Sequence, residues 1–343
     1  MRKLMLGLLL LPVLAAACGG GDSRELHVFT WSDYISPAVV ERFEQENDCR
    51  VVFDYFDSNE AMYAKLKAGA TGYDVVVPSS YMVRIMAEQD MLLELDHSRL
   101  PNLRNIDSRY LPFAASADMK YSVPYMVGTT GIGYLRSKVP DFEPTWGIFA
   151  RAEYARRMTL LNDMREALGA ALKYLGYSLN TTNPDEVAAA GQLLREWKKN
   201  IAKFESDQYK NGLVSEEFVL AQGYSGDIMQ VMAENPDIAY VLPREGTSIY
   251  VDELAILRNA PNPDLAHRFL DFLHRPEIAA QNTEAVFFLC PNQAAYPLLS
   301  EEIKANPAIF IPADVLERCE VIRDLGEANQ LYSKVWDEVK AAP

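Results

Sequence analysis

The chain has 343 residues, with 33 basic and 48 acidic residues, a net charge of −15 and 49% apolar composition. That balance argues against nucleic acid, whose phosphates it would repel, and against a basic membrane-surface patch, while its field favours a cationic ligand. The length is enough for two domains with separate cores.

Met1-Arg2-Lys3 precedes an almost wholly apolar run from Leu4 to Ala17, which then meets Cys18 and a run of glycines. A short basic start, an apolar stretch and small residues make an export signal over residues 1–17. The run of about fourteen residues is too short to cross a bilayer core as a helix, which takes about twenty. Ala15-Ala16-Ala17-Cys18 resembles a bacterial lipobox, in which the cysteine becomes the acylated first residue, although Leu14 stands one position too far from it. Residues 18–24 then serve as a flexible tether behind the anchor. Loss of Arg2 and Lys3 with the leader takes the basic count from 33 to 31 against 48 acidic residues, a net charge of −17.

Glu25–Thr30 alternates as a strand, and Pro37 then opens a helix whose face is marked by Val39, Val40 and Phe43. Arg50–Tyr55 is a second strand, and Ser58-Asn59-Glu60 opens a helix that stops at Gly69. Tyr73–Pro78 is a short apolar strand of the kind buried on both faces of a parallel sheet. This order of elements predicts a doubly wound α/β domain. Alternation resumes at Thr159–Leu161, with helices over about 165–175 and 184–200 and short strands at 238–242 and 253–256. Helices over 264–273 and 326–340 close the chain, so the pattern is of two α/β lobes. Ligands in such folds bind outside the carboxyl ends of strands.

Three enzyme motifs fail. Gly223-Tyr224-Ser225-Gly226 lacks the spacer of a nucleophile elbow. Gly131-Ile132-Gly133 has Arg136 where a dinucleotide fingerprint has its third glycine, and no phosphate-binding loop is found. Cys49, Cys290 and Cys319 have no Cys-x-x-Cys spacing and cannot all pair, so no disulfide framework is expected. The histidines at 27, 97, 267 and 274 lack ligand spacing, so no metal and no cofactor is expected.

What recurs is aromatic and carboxylate together at strand ends: Trp31-Ser32-Asp33-Tyr34, Ser79 with Tyr81, Asp163 with Glu166, and Tyr250 with Asp252. Each has a structural alternative, such as Asp163 as a helix N-cap. Together they suit a flexible polycation, because ammonium groups want carboxylates and methylene spacers want flat apolar walls. A charge-assisted hydrogen bond is worth roughly 1.5–3 kcal/mol and an aromatic face about 0.5–2 kcal/mol to each ammonium.

At these residues the chain resembles the bacterial spermidine/putrescine-binding receptors of ATP-binding-cassette transporters. The likeness runs through Trp31-Ser32-Asp33-Tyr34, Ser58-Asn59-Glu60, Tyr73 to Ser79, Leu175-Gly176-Tyr177-Ser178 and Arg275-Pro276-Glu277. It implies a hinged, two-lobe periplasmic-binding-protein fold of type II character, with ligand in the interlobe cleft and crossovers near Gly128, Val251 and Tyr296. Lobe 1 would comprise residues 25–128 and 252–296, and lobe 2 residues 129–251 and 297–343. By position, Trp31 and Tyr34 would wall the pocket, Ser32 and Asp33 would meet an amine end, and Ser79 and Tyr81 would add contacts. Asp163, Glu166 and Asp252 would be ammonium partners, and Tyr224 and Tyr250 stand where family members usually carry tryptophan. Phe288 stands where tyrosine is common, so one hydroxyl is missing, and the match near Ile322 and Arg323 is poor.

The resemblance implies a monomeric receptor that does no chemistry, favours putrescine with spermidine accepted, and delivers its ligand to a membrane permease. It would be lipid-anchored through Cys18 on the periplasmic side. A receptor for a sugar or chelated metal, a polyamine sensor, and an exported hydrolase using Asp163 and Glu166 are the competing possibilities.

Overall fold

The computed structural model describes residues 24–342. The export signal, Cys18 and the tether as far as Ser23 lie outside the described residues.

The first lobe begins as the alternation predicts. Strand β1 (Arg24–Thr30) leads through α1 (Pro37–Asn47) to β2 (Cys49–Tyr55), and α2 (Asn59–Lys67) leads to β3 (Val75–Val76) and α3 (Ser80–Glu88). Pro37 opens α1, and Asp48, left-handed at φ 47°, ends it by returning its N–H to the Glu44 carbonyl. Ser58 caps α2 through the Ala61 N–H. β1 lies between β2 and β3 and is parallel to both. The strand foreseen over Tyr73–Pro78 is regular only at Val75–Val76, although Asp74 and Val77 still donate to the β1 carbonyls of His27 and Phe29; Pro78 has no N–H to carry the ladder further.

The chain then departs from a purely parallel pattern. β4 (Ser122–Leu135) is a 14-residue strand, buried along nearly its whole length. The second lobe follows as β5 (Met158–Leu160), α4 (Met164–Tyr174), α5 (Pro184–Lys198), β6 (Lys203–Phe204), α6 (Tyr209–Val214), β7 (Leu220–Tyr224), α7 (Ser225–Met232) and β8 (Ile238–Val241). β5 is parallel to β6 and β7, while β7 and β8 run antiparallel to the second half of β4. β9 (Ser248–Ile256) returns antiparallel to β3 and to the first half of β4. β4 therefore changes partners between Thr129, opposite Ile249, and Thr130, opposite Tyr224, and joins the two lobes.

Helices α8 (Pro263–Leu273), α9 (Pro276–Val286), α10 (Glu301–Ala305) and α11 (Ala313–Leu316) follow, then β10 (Glu320–Val321) beside β9, and α12 (Asn329–Ala341). One core gathers Leu26, Val28, Phe43, Phe269 and Phe272; the other gathers Trp146, Phe149, Leu168, Trp197 and Tyr332. Residues 297–311, expected with the second lobe, pack instead in the first: Leu299, Ile303, Ile309 and Ile311 enter its core. Ser300 fixes this course by donating its N–H to Glu284 of α9 at 2.5 Å. Leu325 and then α12 return to the second core, the helix through Tyr332, Val335 and Val339.

Candidate functional site

The ends of β1, β3, β5, β7 and β9 face one another across a cavity between the lobes. Trp31, Ser32, Tyr34, Ser79, Tyr81, Asp163, Glu166, Tyr224, Tyr250, Asp252 and Phe288 line it, so eleven of the twelve expected residues meet in one place. Phe56, Asp57, Asn59, Ser206, Asp207 and Asp227 line it as well.

Asp252 is the first lobe's central acid. It sits in β9 directly opposite Ser79, just before α3, and is 4% exposed. Tyr34 donates its hydroxyl to one carboxylate oxygen at 2.6 Å and Ser79 donates to the other at 2.6 Å. Asn59 holds Ser79 in turn, accepting from its N–H at 3.0 Å and donating to its hydroxyl at 3.1 Å. Burial pushes Asp252 up to about 7, against the downward pull of the two hydroxyls. Hydroxyls orient the carboxylate but bring no charge to match it.

The second lobe supplies a pair. Asp163 ends the β5 connection and caps α4, with Oδ1 accepting from the N–H groups of Arg165 at 2.8 Å and Glu166 at 3.0 Å. The alternative role of N-cap is therefore real, and it leaves the second oxygen uncommitted. Glu166, one turn on, takes the Ser248 hydroxyl at 2.6 Å. Burial raises both, and Asp163 is pushed further by the charges of Glu60 and Glu166. Arg165 makes no hydrogen bond to either acid: its guanidinium donates to the carbonyls of Arg323 and Leu179 and to Asn180, and its charge only partly offsets the rise at Glu166. Among the described residues lining the cavity there is no lysine or arginine.

Aromatic rings make the walls. Tyr34 meets Phe288 edge-on at 4.9 Å, Tyr224 meets Tyr250 edge-on at 5.6 Å, and Trp31 meets Phe56 at 4.4 Å. Two glycines make room for these rings. A Cβ on Gly128 would come within 2.5 Å of Tyr250, and one on Gly226 within 2.5 Å of Phe288. The Tyr250 hydroxyl and the Trp31 indole N–H are buried without a partner.

Two assignments change. Asp33 does not enter the cavity: it turns at φ 51°, its side chain is 62% exposed, and its carboxylate is taken by Lys210 at 2.7 Å. Tyr81 lines the cavity, but its hydroxyl is committed to Glu60 at 2.9 Å. Three further acids line the cavity: Asp57 and Asp207 are exposed, and the buried one that the sequence did not single out is Asp227. It lies in the first turn of α7, 8% exposed, accepts from the Tyr209 hydroxyl at 2.7 Å and is raised by burial. Its signal was its place three residues beyond Tyr224, in the turn after an apolar strand.

An anionic, aromatic-walled cleft between two lobes can enclose an elongated cation.

The model of the family described as bacterial extracellular solute-binding protein matches residues 38–311. The chain is 35% identical to the putrescine-binding periplasmic protein SpuD of Pseudomonas aeruginosa, over 99% of this chain and 98% of that one. It is 35% identical to the spermidine/putrescine-binding periplasmic protein of Escherichia coli, over 95% and 94% of the two chains. The Tp0655 (TpPotD) lipoprotein of Treponema pallidum superposes with a TM-score of 0.82 at 34% identity, covering 92% of this chain and 99% of that structure.

Proposed function

The chain belongs to the family of bacterial extracellular solute-binding proteins, and we propose that it is a polyamine receptor that delivers putrescine, and less readily spermidine, to an ABC-transporter permease. The observation that carries this reading is the charge of the cleft. Asp163, Glu166, Asp227 and Asp252 are buried around one cavity, and no cationic side chain lines it among the described residues. Buried carboxylates without a full counter-charge are costly, and burial raises Asp163, Glu166 and Asp252, so an incoming cation would be welcome there; Asp227 already has Lys210 at 4.0 Å. A diamine supplies two ammonium groups for the acids and a methylene spacer for Trp31, Tyr34, Tyr224, Tyr250 and Phe288. Sugars would find too few neutral partners, and the acids form no cluster able to hold a metal ion among the described residues.

In this mechanism the open lobes capture the amine, close by bending at the strands that join them, and present the closed face to the permease. The protein binds without turning its ligand over and works as a monomer. Cys18 carries a lipid anchor that holds it on the periplasmic side, a reading supported by the lipobox-like sequence and by the lipoprotein nature of the Treponema relative.

The test is calorimetric titration of the mature protein, unfolded and refolded to strip carried-over ligand, with putrescine, spermidine and cadaverine. One-to-one binding that weakens with added salt, strongest for putrescine, is expected. A folded protein that binds none of the three sinks the reading.

A further inference from the structure

Lys210 is a cation that reaches the edge of the cleft, and nothing in the ligand-binding scheme above uses it. It rises from α6 in the second lobe, and its side chain is 8% exposed. Its Nζ lies 2.7 Å from Asp33 Oδ2, 3.7 Å from Asp207 Oδ1 and 4.0 Å from Asp227 Oδ2. Asp207 and Asp227 line the same cavity as Asp163, Glu166 and Asp252, whereas Asp33 stays outside it and meets Lys210 from the first lobe. Three carboxylates around one desolvated ammonium are what a cation-binding position looks like when it is full. A second ammonium arriving there would meet acids already matched and a like charge beside it, which disfavours it.

Resting on the polyamine reading, we propose that Lys210 is a specificity-determining residue: its ammonium permanently fills one cation position of the cleft, so that diamines are taken in preference to triamines. The free acids, Asp252 on the first lobe and Asp163 with Glu166 on the second, leave two ammonium positions. The third belongs to the protein. Because Lys210 also bridges to Asp33 across the cleft, its loss changes how readily the lobes close. That cost falls on every ligand alike and cancels in the ratio of two affinities measured on the same variant.

The experiment is titration of the mature wild-type protein, Lys210→Met and Lys210→Arg with putrescine and spermidine. The spermidine-to-putrescine affinity ratio is expected to rise about tenfold or more in Lys210→Met, where the position falls vacant, and to stay within about threefold of wild type in Lys210→Arg. Should the methionine variant not fold, Lys210→Gln removes the charge while keeping a hydrogen-bond donor to the same carboxylates. An unchanged ratio in a neutral variant that still binds putrescine overturns the proposal and leaves Lys210 as an interlobe tie. A wild-type protein that takes up neither amine removes the polyamine reading itself, and this inference with it.

Discussion

Asp107 and Asp252 are both buried aspartates, and the protein treats them in opposite ways. The Asp107 carboxylate is fully covered, and it accepts from Arg109 through both its backbone and its guanidinium, from Gln293 at 3.0 Å and from the Tyr296 hydroxyl at 2.9 Å. Burial would raise it, but the Arg109 guanidinium and these donors overcome that and hold it down at about 2. Asp252 has only two hydroxyls, and burial wins at about 7. A carboxylate that the fold completes by itself is a structural part. One that the fold orients and leaves without a counter-charge is, on the polyamine reading proposed above, free to meet a cation from outside.

Substitution is the strongest way to break this comparison. Asp252→Asn and Glu166→Gln should each weaken putrescine binding by about 2–5 kcal/mol, roughly 30- to 4,000-fold, because a desolvated ammonium loses its partner. The folded state should lose little. Asp107→Asn should do the reverse, leaving affinity unchanged and lowering unfolding free energy by about 1–3 kcal/mol. Calorimetry and urea denaturation of the three variants separate the two roles. Normal binding in both site variants would show that the cleft acids are not the ammonium partners.

Acidity sharpens the same contrast with a smaller effect. The folded pKa of Asp252 lies at about 7, above the ordinary aspartate value of about 3.9, so the ligand-free fold holds a proton that the unfolded chain has released. Its contribution to stability is therefore fully present below about pH 4 and is lost as pH rises to about 7. The raised pair Asp163 and Glu166 adds in the same direction. Asp107, depressed to about 2, has the opposite sign: its contribution is present above about 4 and is lost as pH falls through 2. A diamine must displace the cleft protons, so affinity should climb about tenfold or more from pH 6 to pH 8. The ligand-induced rise in Tm should widen over the same interval. Calorimetry in buffers of differing ionisation enthalpy would record proton release at pH 6, and a flat pH profile would mean that the cleft acids are already ionised before ligand arrives.

How far these roles could be read beforehand depended on what each residue's neighbours in sequence disclose. Trp31, Tyr34, Ser79 and Asp252 were found because strand ends in α/β folds converge, and β1 and β3 are short, strongly patterned segments. β4 escaped notice because it is buried on both faces and interrupted by Pro124, Gly128, Gly131 and Gly133, so it has neither alternation nor β-branched continuity. Those glycines have a tertiary cause: Gly128 clears space for Tyr250, a residue more than a hundred positions away. Asp33 was misjudged for the opposite reason. Its neighbours both face the cleft, but a positive φ turns Asp33 itself out toward Lys210, and sequence adjacency holds no record of that turn. Asp107 and Asp252 likewise look alike in one dimension. What separates them, Arg109 in one case and its absence in the other, counts only once burial is known.

Tyr250 brings the comparison down to a single hydroxyl. In the ligand-free protein this group is buried and has no hydrogen-bond partner, and leaving such a group unpaired costs about 1–3 kcal/mol. Tyr250→Phe removes that cost while keeping the ring that Gly128 accommodates and that packs on Tyr224. The variant should therefore be as stable as the parent or more so without ligand. If the hydroxyl is held for the incoming amine, the same change should weaken putrescine binding by about 0.5–1.5 kcal/mol, roughly two- to tenfold. Tm and Kd would then move in opposite senses, which a hydroxyl of purely structural importance cannot produce. A loss of both, or of neither, would place Tyr250 with Asp107 among the parts that the fold keeps for itself.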